Sequence, residues 1–470
     1  MIDTKALRSR ILDLAIQGKL TEQLPSDGTA EKSYQQIQAE KQALIKEGKI
    51  KKEKPLPEIA ADEIPFEIPS NWKWVRWGEI VNIVSARRVH QSDWKKEGIP
   101  FYRAREIAKL AEDGYVDNDL FISEEQYEEF SKSGIPHAGD LMISAVGTLG
   151  KAYIVKEEDK FYYKDASVLC IENIGKIEAG FLIAVLKSDL MKKQIESNSG
   201  GTTVDTLTMV RMIKYLLPLP PLAEQKRIVE RVEEIFRLLD TIDQAQEKYS
   251  ADSQILKAKL ITAGIQGKLT EQLDTDGTAE ELYQQIQAEK QKLIKEGKLK
   301  KEKPLPPVSP EEVPFEIPEN WMWVRLGEVF TLQAGKFISA AQISAEQGSD
   351  HQYKCFGGNG IRGYVSDYNT NGTHALIGRQ GALCGNVNLA HDIFYATEHA
   401  VVVYQYCDVD VNWIFYGLTE LNLNQYATSV AQPGLAVGKI EKVLIPLPPL
   451  AEQKRIADVL ERALGAIDKG

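Results

Sequence analysis

The sequence predicts an α+β protein: two mixed α/β domains joined by long antiparallel coiled-coil helices, arranged as a cyclic repeat with pseudo-two-fold symmetry. Three observations lead to this fold class: one long stretch with heptad spacing, a motif that occurs twice, and two unlike segments that separate the copies. The length of 470 residues exceeds what one hydrophobic core normally serves, which favours more than one globular unit.

The stretch 217–267 predicts the first long helix. Residues 222–263 contain neither proline nor glycine, and apolar side chains recur there at spacings of four and three. This spacing is typical of a helix that packs along a second helix. At 1.5 Å per residue, roughly 40 residues would form a rod of roughly 60 Å. The predicted contact seam consists of Ile228, Val232, Ile235, Leu239, Ile242, Tyr249, Leu256, Leu260 and Ala263.

The motif that opens this stretch is repeated. The sequence Leu-Pro-Leu-Pro-Pro-Leu-Ala-Glu-Gln-Lys-Arg-Ile at 217–228 returns with one change at 445–456. The end of the stretch returns near the start of the chain, where 17–54 differ from 266–303 at six of 38 positions. The second long helix is therefore predicted in two pieces, formed by the two ends of the chain, and the repeat is cyclic. An approximate two-fold axis would make the two long helices antiparallel.

Shorter elements follow from local signals. Thr29 and Gly48 are suited to begin and to end a helix. In both copies a Trp-x-Trp-Val sequence alternates with period two, which predicts the first strand of each domain. Beyond this strand the copies have little in common. Both nonetheless contain β-like runs (140–146, 161–163 and 167–171; 374–378, 393–395 and 400–404) and an apolar helix-like run (177–188; 411–421).

These patterns divide the chain into five regions. We expect a first variable domain at 62–217 and a second at 312–445, each mixed α and β. A central helical region at 218–311 separates them. A distal helical region at 1–61 completes the second long helix together with the C-terminal helix at 446–470. The duplicated scaffold would perform one task twice, while the two domains perform different versions of another.

Composition excludes several classes of protein. No run of 18 apolar residues exists, so no membrane span is expected, and the charged N-terminal helix does not resemble a signal peptide. The four cysteines are scattered without metal-ligand spacing, which favours free thiols in a reducing, cytoplasmic compartment. The net charge of −11 argues against a broadly basic nucleic-acid binder, so local charge must support any DNA contact.

Catalytic signatures are weak or missing. The segment 356–360, Phe-Gly-Gly-Asn-Gly, fits the F-x-G-x-G pattern of S-adenosylmethionine sites in DNA adenine methylases, but no acidic residue stands just before it. No Asn/Asp-Pro-Pro-Tyr/Phe loop exists to hold a flipped adenine. Phosphate loops, H-E-x-x-H zinc motifs and G-x-S-x-G nucleophile elbows are also missing. We therefore expect no catalytic residue, no metal and no cofactor in this chain.

Side chains suited to DNA contacts are better represented. Arg87 and Arg88 lie in a predicted loop, and the alternation through 102–105 predicts that Arg103 and Arg105 share one face of a strand. In the second domain, candidate side chains, Asn386 among them, stand near glycines that allow close approach of a ligand. Arginine suits guanine edges and phosphates, although each residue alone could equally be solvated or ion-paired. The predicted DNA-binding set is Arg87, Arg88, Arg103, Arg105, Lys151, Lys336, Asn359, Arg362, Arg379 and Gln380.

The doubled Pro-Leu-Pro-Pro-Leu-Ala-Glu-Gln-Lys-Arg-Ile motif, with its long helices and two unlike domains, resembles the specificity (S) subunit of type I restriction–modification systems. Segments 139–151, 353–364 and 376–381 resemble parts of its target recognition domains. The resemblance implies that each variable domain reads one half of a bipartite DNA target through the major groove. It implies that the helices set the spacing and dock two modification (methylase) subunits.

The resemblance further implies a chain that catalyses nothing. S-adenosylmethionine, ATP and Mg would be held by the modification and the restriction (helicase-nuclease) subunits. Two alternatives remain beside this reading. A structural bridging protein, joining partners through its repeated helices, is slightly favoured by the acidic charge, whereas unlike domains on a duplicated scaffold favour DNA reading. A self-contained restriction–methylation enzyme is disfavoured by the missing catalytic motifs.

Overall fold

The computed structural model describes residues 1–131, 134–146, 150–197, 207–301, 303–381, 383–428 and 434–469. The chain divides into two compact units, unit 1 (Met1–Glu247) and unit 2 (Lys248–Gly470). Nowhere in these described ranges is a helix both long enough and apolar enough to cross a membrane.

Unit 1 alternates short helices and strands. Among its described residues the α-helices are α1 (Thr4–Ile16), α2 (Ala30–Lys46), α3 (Trp77–Ile80), α4 (Ala104–Asp113), α5 (Glu124–Ser131), α6 (Ala179–Lys187), α7 (Asp189–Ser197) and α8 (Met209–Met212). The strands are β1 (Lys73–Arg76), β2 (Asn82–Val84), β3 (Ile99–Tyr102), β4 (Phe121–Ile122), β5 (Leu141–Ser144), β6 (Ala152–Ile154), β7 (Tyr162–Tyr163), β8 (Val168–Glu172) and β9 (Leu216–Leu219). Helix α9 (Leu222–Ile265), 44 residues long, begins in unit 1 and ends in unit 2.

The strands of unit 1 form the sheets of its variable domain. One antiparallel sheet has the strand order β2-β8-β5-β6, and a smaller sheet has the order β4-β3-β7, with β3 parallel to β7. Strands β1 and β9 form a separate antiparallel pair in which Val75 lies opposite Leu217. The first proline of the repeated motif, Pro218, thus belongs to a short strand, where a missing N–H is tolerated at a sheet edge. Because β1 begins the variable domain and β9 ends it, this pair joins its two ends side by side.

Unit 2 has a similar sequence of elements. In its described part the further helices are α10 (Ala279–Lys295), α11 (Leu326–Val329), α12 (Val411–Glu420), α13 (Val437–Ile440) and α14 (Leu450–Lys469). Its strands are β10 (Met322–Arg325), β11 (Phe330–Ala334), β12 (Tyr353–Gly357), β13 (Gly360–Val365), β14 (Thr370–Asn371), β15 (His374–Gly378), β16 (Val387–Ala390), β17 (Ile393–Ala396), β18 (Ala400–Gln405) and β19 (Leu444–Leu447).

The two variable domains share a topology despite their unlike sequences. The sheet order β11-β18-β15-β16 in unit 2 repeats β2-β8-β5-β6 in unit 1, and β10 pairs with β19 as β1 pairs with β9. A second sheet, β13-β12-β17-β14, contains one parallel pair, β12 with β17, in the place of β3 with β7. Two mixed α/β domains on a duplicated frame are therefore confirmed, and each has its own buried apolar core.

A buried carboxylate from the repeated motif anchors each unit. In unit 1, Glu224 is fully buried and accepts hydrogen bonds from the indole N–H of Trp72 (2.7 Å) and the amide of Gln23 (2.9 Å). In unit 2, Glu452 is equally buried and accepts from Trp321 (2.8 Å) and Gln272 (2.7 Å) in the same way. A buried charge is costly unless it is hydrogen-bonded. The first network therefore fixes α9 to the distal helical region, and the second fixes α14 to the central helical region. Each also holds the tryptophan that directly precedes the first strand of its variable domain.

Two further motif residues repeat their contacts. Arg227 donates two hydrogen bonds of 2.7 Å to the carboxylate of Asp27, and Arg455 donates to Asp276 at 2.7 and 2.5 Å. The glutamine that follows each buried glutamate accepts a backbone N–H from the variable domain, at Glu178 or at Asp410. The lysine between glutamine and arginine is exposed in both copies. The repeated motif is therefore mainly a structural clamp.

The helix pairs run antiparallel within each unit, as predicted. In unit 1, Ile2 bonds to Gln246 while Arg8 pairs with Asp240, so the numbering rises on α1 as it falls on α9. In unit 2, the hydroxyl of Tyr249 donates to the carbonyl of Ile467, and Gly264 lies beside Ile456.

Burial follows only part of the predicted seam. Ile228, Val232 and Leu239 are buried, but Tyr249 and Leu256 are 46% and 48% exposed. These two predicted seam residues are therefore only partly covered, although the long helix itself is confirmed. Helix α14 nonetheless runs beside this part of α9, since Lys257 of α9 forms an ion pair with Asp468 of α14.

Candidate DNA interface

Arg103 and Arg105 lie at the start of helix α4, so the predicted strand through 105 is wrong. Strand β3 ends at Tyr102, Arg103 is the N-cap and Arg105 stands in the first turn. Glu106 accepts the backbone N–H of Arg103 at 3.0 Å and thereby completes the glutamate half of a capping box. This local cap ends the strand where period-two alternation in the sequence suggested that it continues.

Both guanidinium groups nonetheless converge on Glu106, whose side chain is fully buried. The Nη2 atom of Arg103 and the Nε atom of Arg105 each lie 2.8 Å from its Oε1. Asp119, which is exposed, adds a longer contact of 3.3 Å to Arg103. Burial acts to raise the pKa of Glu106, but the hydrogen bonds from the two arginines outweigh it and lower the pKa overall. The carboxylate is therefore ionised at neutral pH.

Arg87 and Arg88 lie in the loop after β2, as the sequence indicates. The guanidinium carbon of Arg87 is 4.9 Å from the ring centroid of Phe130, a cation–π distance, and its Nη1 is 3.4 Å from Glu129. The Nε atom of Arg88 lies 3.0 Å from the carboxylate of Asp165. Both arginines remain more than half exposed.

The remaining candidate of unit 1, Lys151, forms an ion pair with Glu112 on α4. Each of the five predicted cations of unit 1 thus has a carboxylate partner. A DNA phosphate would have to compete with these carboxylates for the cations. The carboxylates also lower the net positive potential of the surface. Part of the segment 139–151 that resembles the target recognition domains, residues 147–149, lies outside the described residues.

In unit 2 the turn from Ala396 to Ala400 brings several candidates together. The backbone N–H of Lys336 donates to the carbonyl of Ala396 at 3.0 Å, and that of Arg379 donates to His399 at 2.9 Å. A Cβ added at Gly358 would lie 3.1 Å from the His399 carbonyl. Glycine at this position therefore permits two loops to approach closely around the turn, as its neighbourhood in the sequence suggests.

Amide side chains line the same region. The side-chain amide of Asn386 donates a hydrogen bond to the side-chain oxygen of Asn359 at 3.0 Å. Gln380 is exposed, and its backbone forms an isolated antiparallel β-bridge with Gly434. Arg362 lies further along strand β13, where it is exposed. Lys336 and Arg362 form no ion pair with any described residue, in contrast to the candidates of unit 1.

Two residues of this region escaped the sequence reasoning. Glu398 and His399 form an ion pair of 3.2 Å when the imidazole is charged, yet one atom of each, Oε2 and Nδ1, is buried without a described partner. The Nε atom of Arg379 is also buried and unpartnered in the described structure. No motif or periodicity marks Glu398 and His399, because only the turn of the chain brings them to Arg379.

The methylase-like pattern at 356–360 occupies a β-hairpin. It spans the end of β12, a two-residue turn and the start of β13, and Gly357 lies opposite Gly360. Its glycines serve this turn, since Gly360 has a φ of +94°. Among the described residues, no group of three or more His, Cys, Asp and Glu side chains could hold a metal ion.

Comparison with known proteins matches both halves of the chain to one family. The sequence profile of the type I restriction modification DNA specificity domain matches residues 69–248 and again 318–469, well over half of the chain. The chain belongs to this family. The two matched ranges take in most of each variable domain, the first part of α9 and all of α14, so the resemblance drawn from the doubled motif is confirmed.

Relatives of this specificity family are similar over part of their length. The EcoprrI specificity subunit of a type I restriction enzyme from Escherichia coli is 50% identical over 29% of this chain and 34% of its own length. The EcoAI specificity subunit from the same species is 30% identical over 70% of this chain and 63% of its own length. The matched regions therefore span about one third and just under two thirds of these two relatives.

A solved structure from a type I R-M system supports the fold. One of its chains superimposes with a TM-score of 0.62 at 20% identity, covering 86% of this chain and 93% of the other. At this identity the likeness concerns the fold alone. It confirms the fold class predicted from the repeat.

Proposed function

We propose that this chain is the DNA-binding specificity subunit of a type I restriction–modification complex. The observation that carries the proposal is the specificity-domain match to two unlike domains on one duplicated scaffold. Domains that share a topology but differ in sequence suit two different half-targets. A scaffold whose clamps repeat hydrogen bond for hydrogen bond suits a task that is the same on both sides.

The variable domains at 62–217 and 312–445 are the proposed target recognition domains. The helical regions at 1–61, 218–311 and 446–470 set the distance between half-targets. Direct base contacts in the major groove distinguish all four base pairs, and arginine, asparagine and glutamine are the side chains best suited to make them. The proposed contacts are Arg87, Arg88, Arg103, Arg105, Lys151, Lys336, Asn359, Arg362, Arg379 and Gln380.

The proposed partners are double-stranded DNA, two modification subunits and restriction subunits, in the cytoplasm. The chain itself is proposed to be non-catalytic. S-adenosylmethionine, ATP and Mg would be bound by the partner subunits. The exposed apolar side chains along α9, among them Leu238 and Ile255, support protein contacts along this helix.

Adenine methylation across a host genome tests the proposal. The chain is expressed with its modification subunits and compared with a strain that lacks only this chain. We expect one split sequence with a fixed gap to be methylated only when the chain is present. Methylated sequences that stay the same without the chain, from a methylase shown to be active, would instead support a protein that merely bridges its partners.

A further inference from the structure

A fully buried carboxylate holds two arginines of the first variable domain. Glu106 has no solvent exposure, and its Oε1 atom lies 2.8 Å from Arg103 Nη2, from Arg105 Nε and from Arg105 Nη2. Its other oxygen accepts both the backbone N–H and the side-chain Nε of Arg103, each at 3.0 Å. The arginines have little freedom to leave this carboxylate, because its charge would then be buried without a partner.

Helix capping alone does not require this arrangement. Among the described residues, two other helix starts have a glutamate that accepts the backbone N–H of an arginine three residues earlier, Arg76 with Glu79 and Arg325 with Glu328. In those two, the guanidinium group turns away to a different carboxylate and is almost fully buried. Only at α4, among these three starts, does the capping glutamate also hold guanidinium groups, and one of them is largely exposed.

Arg105 retains free donors that face away from Glu106. Its Nε and Nη2 contact the carboxylate, while its side chain is 69% exposed and Asp119 lies 3.8 Å from its Nη2. A guanidinium group carries five N–H donors in a planar fork, so engagement of the Nε–Nη2 edge leaves Nη1 and the outer N–H of Nη2. This outer edge matches the O6 and N7 acceptors that guanine presents in the major groove.

We infer that Glu106 is a positioning residue that presents Arg105 end-on to a guanine in the half-target read by the first domain. Arg103 supports this role, since it occupies the remaining positions of the carboxylate. The inference rests on the proposed function and deepens it by naming the base and the residue that fixes its reader. A side chain held before binding loses little rotamer freedom on contact, which sharpens discrimination between bases.

The test uses the full chain in complex with its modification subunits, after the split target has been read from genomic methylation. Methylation rates are measured on duplexes in which each G·C pair of the first half-target is replaced in turn. Arg105→Lys keeps the charge but loses the planar fork, and Glu106→Gln removes the charge that orients it. Asp119→Asn is the matched control, because Asp119 contacts the same arginines from an exposed position.

We expect Arg105→Lys to reduce discrimination about tenfold or more at one G·C position of the first half-target. Glu106→Gln is expected to reduce discrimination at that same position, with the second half-target read as before. Asp119→Asn is expected to change neither. Loss of stability alone would lower methylation of all sequences equally, so the position-specific effect separates positioning from folding. If Glu106→Gln does not fold, Arg105→Lys decides, since its exposed side chain is not needed for the core.

Three outcomes would overturn the inference. The first is unchanged discrimination in Arg105→Lys, and the second is a folded Glu106→Gln that still reads the position affected by Arg105→Lys. The third is a first half-target without any G·C pair. A further variant, in which residues 62–217 are replaced by the corresponding domain of a relative, tests the proposed function by itself. If that replacement changes one half of the methylated sequence, the proposed function stands although the inference fails; if it changes neither half, the proposed function fails as well.

Discussion

The candidate cations of the two units differ in their electrostatic surroundings. Those of unit 1 are all paired with carboxylates, whereas Lys336 and Arg362 in unit 2 have no such partner among the described residues. Exposed ion pairs contribute little to stability, about 0–1 kcal/mol. Their main effect here would be on DNA, because each carboxylate repels the phosphates that its partner attracts. Non-specific binding by unit 1 should therefore be weak, in keeping with the net charge of −11.

Removal of one such carboxylate should strengthen non-specific binding. We expect Glu112→Gln, which frees Lys151, to raise affinity for non-target DNA about two- to fivefold at low salt, with a smaller gain at high salt. Fluorescence anisotropy of the complex at several salt concentrations measures the effect. Glu124→Gln is the control, because it also removes one negative charge. The cation that it frees, Lys160, is not among the proposed DNA contacts. An equal gain in both variants would indicate a general charge effect.

The two clamp aspartates should make stability depend on pH. The hydrogen bonds from Arg227 and Arg455 lower the pKa of Asp27 and Asp276 in the folded state. The folded pKa lies below the unfolded value of about 3.9, so this stabilisation is fully present above about pH 5 and is lost as pH falls through the folded pKa. We expect Asp27→Asn and Asp276→Asn to lower the melting temperature at pH 7, with a smaller deficit near pH 3.

Asp274→Asn provides the comparison for this experiment. The carboxylate of Asp274 is exposed in the loop that also contains Asp276, and it forms no ion pair with a residue that the structure describes. It should melt close to the unsubstituted chain at pH 7. A deficit that persists unchanged at low pH in the clamp variants would contradict the electrostatic explanation.

Helix packing favours glycine at one helix position and leaves room for a larger side chain at another. A Cβ at Gly180 in α6 would lie 2.7 Å from Cγ1 of Val229 in α9, whereas a Cβ at Gly465 in α14 would meet nothing within 4 Å. Alanine gains about 1 kcal/mol over glycine inside a helix, but overpacking costs about 1–3 kcal/mol. At position 180 the close contact therefore makes alanine destabilising. At position 465, where nothing is close, helix propensity makes alanine stabilising.

We expect Gly180→Ala to lower stability by about 1–2 kcal/mol and Gly465→Ala to raise it by up to about 1 kcal/mol. Thermal unfolding of the single variants measures both signs. The double variant Gly180→Ala with Val229→Ala should regain part of the loss, since it removes the clashing methyl group. Equal stability of Gly180→Ala and the unsubstituted chain would show that α6 can move away from α9 without cost.

The elements also show which inferences a sequence permits. The repeat and the heptad spacing predicted the long helix, because both are properties of residues along one segment. The strand through Arg105 was wrong since a capping glutamate one residue later overrode a four-residue alternation. The partners of Glu224 and the approach of His399 to Arg379 could not be predicted, because they depend on how distant segments meet. The base contacts remain predictions from side-chain chemistry.

For the whole molecule, the paired strands β1 and β9 make the first variable domain replaceable as one piece. Their pairing places the two ends of the domain next to each other. Exchange of 62–217 keeps the bonds of Glu224 to Thr21 and Gln23, whereas the incoming domain must supply a tryptophan in the place of Trp72. We expect replacement of 62–217 by the corresponding domain of a relative to change one half of the methylated sequence and to leave the other half and the gap unchanged. Genomic methylation measures this, and exchange of 312–445 is the matched experiment. A change in both halves would contradict independent reading.

The buried clamp also determines when the chain can fold during synthesis. Thr21 meets Glu224 across 203 residues, and Thr270 meets Glu452 across 182. At ribosomal rates of about 5–20 residues per second, the first helix waits roughly 10–40 s for its partner to be made. During that interval Leu12 and Ile16, which end up buried, face water on the nascent chain. Slow translation or a shortage of chaperones should therefore favour misfolding of the beginning of this chain more than of its end, because the partner of α14 has already been synthesised.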